Sequence, residues 1–236
     1  MAATDYWSRL RGEGAEAALH EMVQEYGDRN DPSPVMALGV AYLWRGHYKR
    51  AFEHFDDAIK TSRTSKSVFF GMAGVAKWCV DDPKEAVGQW RAGLRAQYAD
   101  GAGGIRLPML LFTAAVVTPS AFSQAEAAFL LNEKVHDARA RNWPGPLGKF
   151  LLGQIDQEGL LEHLTGVHQN DTALRHWLSD FYKGVVGFSC GEVSVFNGAM
   201  RKAVEVAVNE SNDQRFFTGC IWHEEFFIAR HEVSSA

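Results

Sequence analysis

The amino-acid sequence predicts an all-α protein. Apolar residues recur at helical spacing along almost the whole chain, whereas the alternation of apolar and polar residues that half-buried strands require hardly appears. Short clusters of proline, glycine, asparagine and aspartate interrupt this pattern repeatedly. We therefore expect roughly eleven or twelve helices joined by short turns, in a single helical domain over residues 1–236.

Composition and charge limit the class of protein. The 236 residues are 46% hydrophobic, which is enough for a substantial core, and the formal net charge is −5. No run of like charges resembles a nucleic-acid-binding arm, and no apolar stretch approaches the length of a membrane span. The three cysteines lack metal-ligand spacing, which favours a reduced compartment. We expect a cytoplasmic protein without nucleic-acid or membrane partners, and without a cofactor or metal.

One helix start is marked clearly in the sequence. Asp82 can accept a hydrogen bond from the first helical turn, and Pro83 needs no amide partner at the first helical position. Glu85 stands where a capping box would let it reach back to the cap. A helix is therefore predicted to begin at Pro83.

Two segments of the chain share one pattern, 35 residues apart. Each has a glycine in its first helix and small and aromatic residues in its second, which predicts helices that cross closely and an aromatic ring that fills a gap. The paired positions are Gly39 and Gly74, Ala51 and Ala86, Phe55 and Trp90, and Ala58 and Gly93. Residues 35 to 93 resemble tetratricopeptide repeats, which are helical hairpins of about 34 residues. In the turn, Gly46 of the first segment is replaced by Asp81 in the second.

The resemblance divides the chain into three parts. Residues 5–98 hold the N-terminal repeats, and residues 105–142 form helices that do not keep the repeat spacing. Residues 143–234 return to helical hairpins, in which Gly184 and Gly191 stand seven residues apart, as the first-helix and turn glycines of the first repeat do.

The resemblance also implies a concave groove lined by the first helix of each hairpin. The positions that face this groove are Met36, Val40, Leu43, Trp44, Val68, Val75, Trp78 and Cys79. This lining is apolar and lacks the basic clamp with which some members of the family hold a carboxylate. Because an apolar surface of this size is seldom left in water, we expect the helices of residues 105–142 to fill the groove, with a bound partner as the alternative. A filled groove would leave partner binding to the rims and helix ends.

The stretch GFSCG, at residues 187–191, fits the G-x-S-x-G pattern of a nucleophilic serine. Ser189 is followed by Asp213 and then by His223 and His231, so a serine hydrolase is one alternative. A nucleophile elbow needs a strand before the sharp turn, and no strand is predicted. We therefore interpret Ser189 as the end of a helix and as a candidate contact for a partner, with Gly191 in a hairpin turn.

Two charged segments are candidate functional sites. In WHEEFFIARHE, at residues 222–232, the histidines are eight residues apart, which separates them by about 12 Å of helix rise and excludes a zincin pair. His223, Glu224 and His231 are expected to hydrogen-bond neighbouring helices, with a metal enzyme as the alternative. The exposed basic residues Arg139 and Arg141 are expected at the solvated end of a helix, where an acidic partner could also dock.

These observations predict a non-catalytic protein–protein interaction module. A bacterial immunity protein that binds and neutralises a cognate toxin is the first specific hypothesis, and an adaptor or assembly factor is its competitor. A self-associating structural subunit is a third possibility. The predicted partner-binding residues are Met36, Val40, Trp44, Val68, Val75, Trp78, Ser189, Arg139 and Arg141.

Overall fold

A computed structural model describes residues 33–61, 66–96, 100–165, 169–209 and 223–235, together with position 17. Within these residues the chain forms eleven α-helices and one short 3-10 helix and contains no strand, which confirms the predicted all-α fold. The helices are α1 (Ser33–Trp44), α2 (Tyr48–Thr61), α3 (Lys66–Trp78), α4 (Pro83–Arg95), α5 (Arg106–Val117), α6 (Gln124–Val135), the 3-10 helix (Ala138–Arg141), α7 (Gly145–Leu151), α8 (Gln157–Leu161), α9 (Gln169–Ser189), α10 (Val193–Asn209) and α11 (Glu224–Ser235).

Helical hairpins are the unit of this fold. The helices α1 and α2, α3 and α4, and α9 and α10 pack against each other across turns of three or four residues. Gly46, Asp81 and Gly191 occupy corresponding places in these turns, with φ angles of 74°, 58° and 84°. A positive φ costs glycine little but strains residues that carry a Cβ, so aspartate at this position is tolerated rather than preferred.

The repeated glycine and aromatic residues meet inside each hairpin. A Cβ atom on Gly39 would overlap the ring of Phe55, and one on Gly74 would overlap the indole of Trp90. The Trp90 Nε1 also donates a hydrogen bond of 3.0 Å to the carbonyl oxygen of Gly71. The pattern seen in the sequence is therefore a contact in which the ring of the second helix lies across the glycine of the first.

The predicted helix start at Pro83 is confirmed. The Asp82 side chain accepts a hydrogen bond of 3.3 Å from the backbone N–H of Glu85. The Glu85 carboxylate does not return to the cap, because it accepts a hydrogen bond of 3.0 Å from Gln89 one turn further on. Only the aspartate half of the expected capping box is formed.

The helices between residues 105 and 142 extend the row of hairpins. Helix α5 packs on α4 and α9, and α6 packs on α5 and α7. Gly93 permits the close approach of α5, since a Cβ atom there would lie 2.6 Å from the Leu107 Cδ1. Helix α10 then packs on α9, and α11 packs on α10 and α3, so the last helix of the structure returns to the first hairpins. No helix among the described residues is long and apolar enough to cross a membrane.

Candidate functional site

Helix α11 lies on the face formed by the first helices of the two repeats. The rings of Trp44 and Phe226 are stacked, with centroids 5.8 Å apart. The Trp78 Nε1 donates a hydrogen bond of 2.9 Å to Glu232, and the Arg230 guanidinium donates one of 2.8 Å to the carbonyl oxygen of Trp44. This face is therefore occupied by a helix of the same chain.

The predicted groove residues are part of this internal contact. Val40, Val75 and Trp78 are buried, whereas Met36, Trp44 and Val68 are half-buried and pack against the core. We expected the helices of residues 105–142 to fill the groove, but α11 is the helix that packs on α3 here. As expected, the apolar lining of the groove is covered rather than left in water. The helix that covers it, α11, lies outside residues 105–142. The three buried side chains are not accessible to a partner in this structure.

A polar cluster lies beneath the start of α11. Glu224 and Glu225 are both buried there, although neighbouring carboxylates usually face water. The Arg106 guanidinium, at the start of α5, forms an ion pair with Glu224, and its Nη2 lies 2.9 Å from the His223 Nδ1. The Tyr182 hydroxyl, from α9, donates a hydrogen bond of 2.5 Å to the Glu225 carboxylate. The cluster therefore joins three helices that are distant in sequence.

The electrostatic environments of the two glutamates differ. Burial raises the pKa of Glu224, and the nearby charge of Arg106 only partly opposes this. Burial also acts to raise the pKa of Glu225, but His223, Arg106 and the hydrogen bond from Tyr182 outweigh it and lower that pKa to about 2. Glu225 is thus the more strongly ionised carboxylate, and Glu224 is the one that holds a proton more readily.

Sequence reasoning found one side of this cluster only. The expectation that His223 and Glu224 bond to neighbouring helices is confirmed, but Arg106 and Tyr182 were not foreseen as their partners. Arg106 and Glu224 are 118 residues apart, and no local pattern relates them. An arginine at the start of an otherwise apolar helix was the available signal, because a cation beside apolar residues needs a partner if it is buried.

The two histidines of the last segment have separate partners. His223 contacts Arg106, whereas the His231 Nε2 lies 3.2 Å from the Asp81 carboxylate. Among the described residues, no group of three or more histidine, cysteine, aspartate or glutamate side chains is placed to hold a metal ion.

The GFSCG segment forms a helix end and a turn, as predicted. Ser189 is the last residue of α9, and its hydroxyl donates a hydrogen bond of 2.7 Å to the carbonyl oxygen of Val186. Gly191 follows in the turn with a φ of 84°. The proposed acid of a catalytic triad, Asp213, lies outside the described residues.

The three hairpin turns lie at the same end of the molecule. Helix α11 runs from Glu224, which contacts the start of α5, to Glu232, which contacts Trp78 at the end of α3. A shallow cleft between α10 and α11 is lined by both Glu232 and Asn197, so α10 begins where α11 ends. We call this end, with the turns at residues 45–47, 79–82 and 190–192 and the last turn of α11, the turn end.

The predicted basic site, Arg139 and Arg141, does not lie at the turn end. Arg139 is exposed and forms hydrogen bonds of 3.0 and 2.8 Å to the carboxylate of Asp137, whose pKa this arginine lowers. Arg141 is also exposed. The Asp137 carboxylate lies beside Gly103, in the loop that leads from α4 into α5 and thus at the opposite end from the α3–α4 turn. The structure therefore does not bring Arg139 and Arg141 together with Ser189.

No protein-family model matches the chain, and no curated protein is similar to it. The class to which the protein belongs is therefore defined by its architecture, that of an all-helical protein of antiparallel hairpins in which a late helix covers the face of the first repeats.

Proposed function

We propose that this protein is a non-catalytic protein-interaction module that contacts its partner at the turn end. The observation that carries the proposal is a pair of exposed valines at the start of α10, with Val193 50% and Val195 45% exposed. Val195 lies against Gly187 of α9, two residues before Ser189, which is exposed as well. Exposed apolar side chains beside polar residues are typical of a protein contact site.

The neighbouring helix extends this surface. Val233, in the last part of α11, is also exposed, and it borders the shallow cleft beside Asn197 and Arg201 of α10. The surface thus combines apolar side chains with amide and guanidinium groups, which suits a protein partner better than a small apolar ligand. A partner at this end would contact the molecule without displacing α11.

The proposal is tested by capture of the partner from the native host with mass-spectrometric identification. The double variant V193K/V195K places two charges in the contact and should reduce recovery of the partner about tenfold or more. The matched control is V208K, because Val208 is similarly exposed, at 44%, on the same helix but at its other end. Equal recovery with both variants would contradict a contact at the turn end.

The identity of the captured protein decides between more specific roles. A toxin whose activity the pure protein inhibits would support the immunity role, whereas a set of assembly components would support an adaptor. The competing serine-hydrolase hypothesis has its own test, which is labelling with a fluorophosphonate probe. Labelling that is lost in S189A would contradict the present proposal and show that the protein is a serine hydrolase.

A further inference from the structure

Among the described residues, the buried negative charge at the start of α11 exceeds the positive charge that pairs with it. The side chains of Glu224 and Glu225 are only 6% and 2% exposed. Among the described residues, Arg106 is the one arginine or lysine that pairs with them. Two ionised carboxylates against one guanidinium would leave a net negative charge in the interior, which is energetically costly.

The helices packed around the two glutamates supply little further compensation. From α9, Tyr182 donates a hydrogen bond to Glu225 but carries no positive charge. From α3, the residue that lies against Glu224 is Gly71, which has no side chain to offer. Arg106 of α5 contacts Glu224 directly and is 3.6 Å from Glu225.

The remaining neighbours are His223 and the groups at the far end of α11, where His231 contacts Asp81 and Arg230 contacts the carbonyl oxygen of Trp44. The His223 Nδ1 lies 3.6 Å from the Glu225 Oε2, an oxygen that accepts no hydrogen bond within the described part of the chain. Arg201 of α10 borders the cleft beside Glu232, near the turn end and away from the cluster. Within the described part of the chain, two carboxyls are thus paired with one arginine.

We propose that docking of α11 takes up one proton from water, which Glu224 and Glu225 share beside Arg106, so that α11 is held more tightly in mild acid than at alkaline pH. With that proton on one of the two carboxyls, the charges of Glu224, Glu225 and Arg106 sum to zero. When α11 leaves its site, the same groups meet water and the proton is released as the pH rises.

The two glutamates contribute to this pH dependence with opposite signs. The pKa of Glu225 is lowered from 4.5 to about 2, so its contribution to docking is present above about pH 4.5 and is lost as the pH falls towards 2. The pKa of Glu224 is raised above 4.5, so its contribution is complete below that value and is lost as the pH rises through the raised pKa. Docking should therefore be tightest near pH 4.5, where the Glu225 contribution is present and little of the Glu224 contribution has been lost.

The test measures how often α11 opens in the intact protein. Hydrogen exchange is followed by mass spectrometry on fragments that cover residues 224–235, between about pH 5 and 8, with correction for the intrinsic exchange rate. The protection factor of α11 should fall as the pH rises over this interval, because one proton lost on opening changes the opening constant by up to about tenfold per pH unit. A protection factor that stays constant or rises with pH in the wild-type protein would overturn the proposal.

Variants locate the proton in the cluster. E224Q and E225Q each leave one carboxylate against one guanidinium, so both should show a smaller change in protection with pH than the wild-type protein. The control is E205Q, which removes an exposed carboxylate from α10 and should keep the wild-type change. Glu232, whose pKa burial also raises, is intact in all three variants, so its contribution is common to them. A pH dependence that persists undiminished in both E224Q and E225Q would also overturn the proposal.

This inference about the docking of α11 does not depend on the partner proposed for the turn end.

Discussion

Two glycines within helices of this protein, Gly74 and Gly88, have different packing environments, although nothing in their residue type distinguishes them. Gly74 is buried in α3 under the indole of Trp90, whereas Gly88 is on the exposed side of α4 with no atom within 4 Å of a Cβ position. The first is required by packing between helices, and the second only adds conformational freedom to the unfolded chain.

This difference predicts opposite effects of the same substitution. G74A forces a methyl group into the Trp90 ring and should lower the free energy of unfolding by about 1 to 3 kcal/mol. G88A should raise it by about 0.5 to 1 kcal/mol, because alanine favours the helix. Urea unfolding of both variants measures these changes. A G74A protein as stable as the wild type would show that α3 and α4 do not approach as closely as described.

At the scale of one element, the loop before α5 is an ordered cap rather than a hinge. The Asp100 carboxylate accepts hydrogen bonds of 2.8 Å from the backbone N–H groups of Ala102 and Gly104, and one of 3.0 Å from that of Arg106. Two of these amides lie in the loop and the third is at the start of the helix, where amide groups lack partners within the helix. The same loop thereby positions the backbone of the arginine that pairs with Glu224.

Removal of this cap should destabilise the protein measurably. D100A leaves three amide groups without their acceptor, so we expect a loss of about 2 kcal/mol in the free energy of unfolding. D57A, which removes an exposed carboxylate from the middle of α2, is the control and should change stability by less than about 0.5 kcal/mol. Chemical denaturation followed by circular dichroism compares the two, and equal stabilities would refute the role of Asp100.

At the scale of the whole molecule, α11 joins the first hairpins to the last one. It packs on α3 from the N-terminal half and on α9 and α10 from the C-terminal half. Phe226 is fully buried at this junction, where it stacks on Trp44 and meets Phe227 edge to face at a centroid distance of 5.1 Å. The two halves should therefore unfold together.

The prediction for the whole molecule is one cooperative transition that depends on Phe226. F226A should reduce the free energy of unfolding by about 3 to 5 kcal/mol, because it leaves a cavity at the junction. V233A, on the exposed part of the same helix, should change it by less than about 1 kcal/mol. Tryptophan fluorescence and circular dichroism should report coincident transitions for the wild-type protein. Separate transitions would mean that α11 does not couple the two halves.

The candidate sites were predictable to different degrees. Ser189 was placed at a helix end by glycine spacing, because a turn is specified by residues close to it in sequence. The exposure of Val193 and Val195 was not predicted, since valine spacing on a helix does not reveal which face a distant helix will cover. The groove lining was recognised as a surface needing a cover, but the identity of that cover required the tertiary structure.

The sequence by itself determined the helical class, the hairpin turns and the glycine–aromatic contacts within each repeat. These features depend on backbone conformation and on side chains within about one hairpin of each other, so local spacing encodes them. Only the tertiary structure decided that α11 covers the first repeats and that Arg106 meets Glu224, 118 residues away. Many helices of similar length and hydrophobicity could fill the same face, and the choice among them follows from shape and charge that become complementary only when the chain is folded.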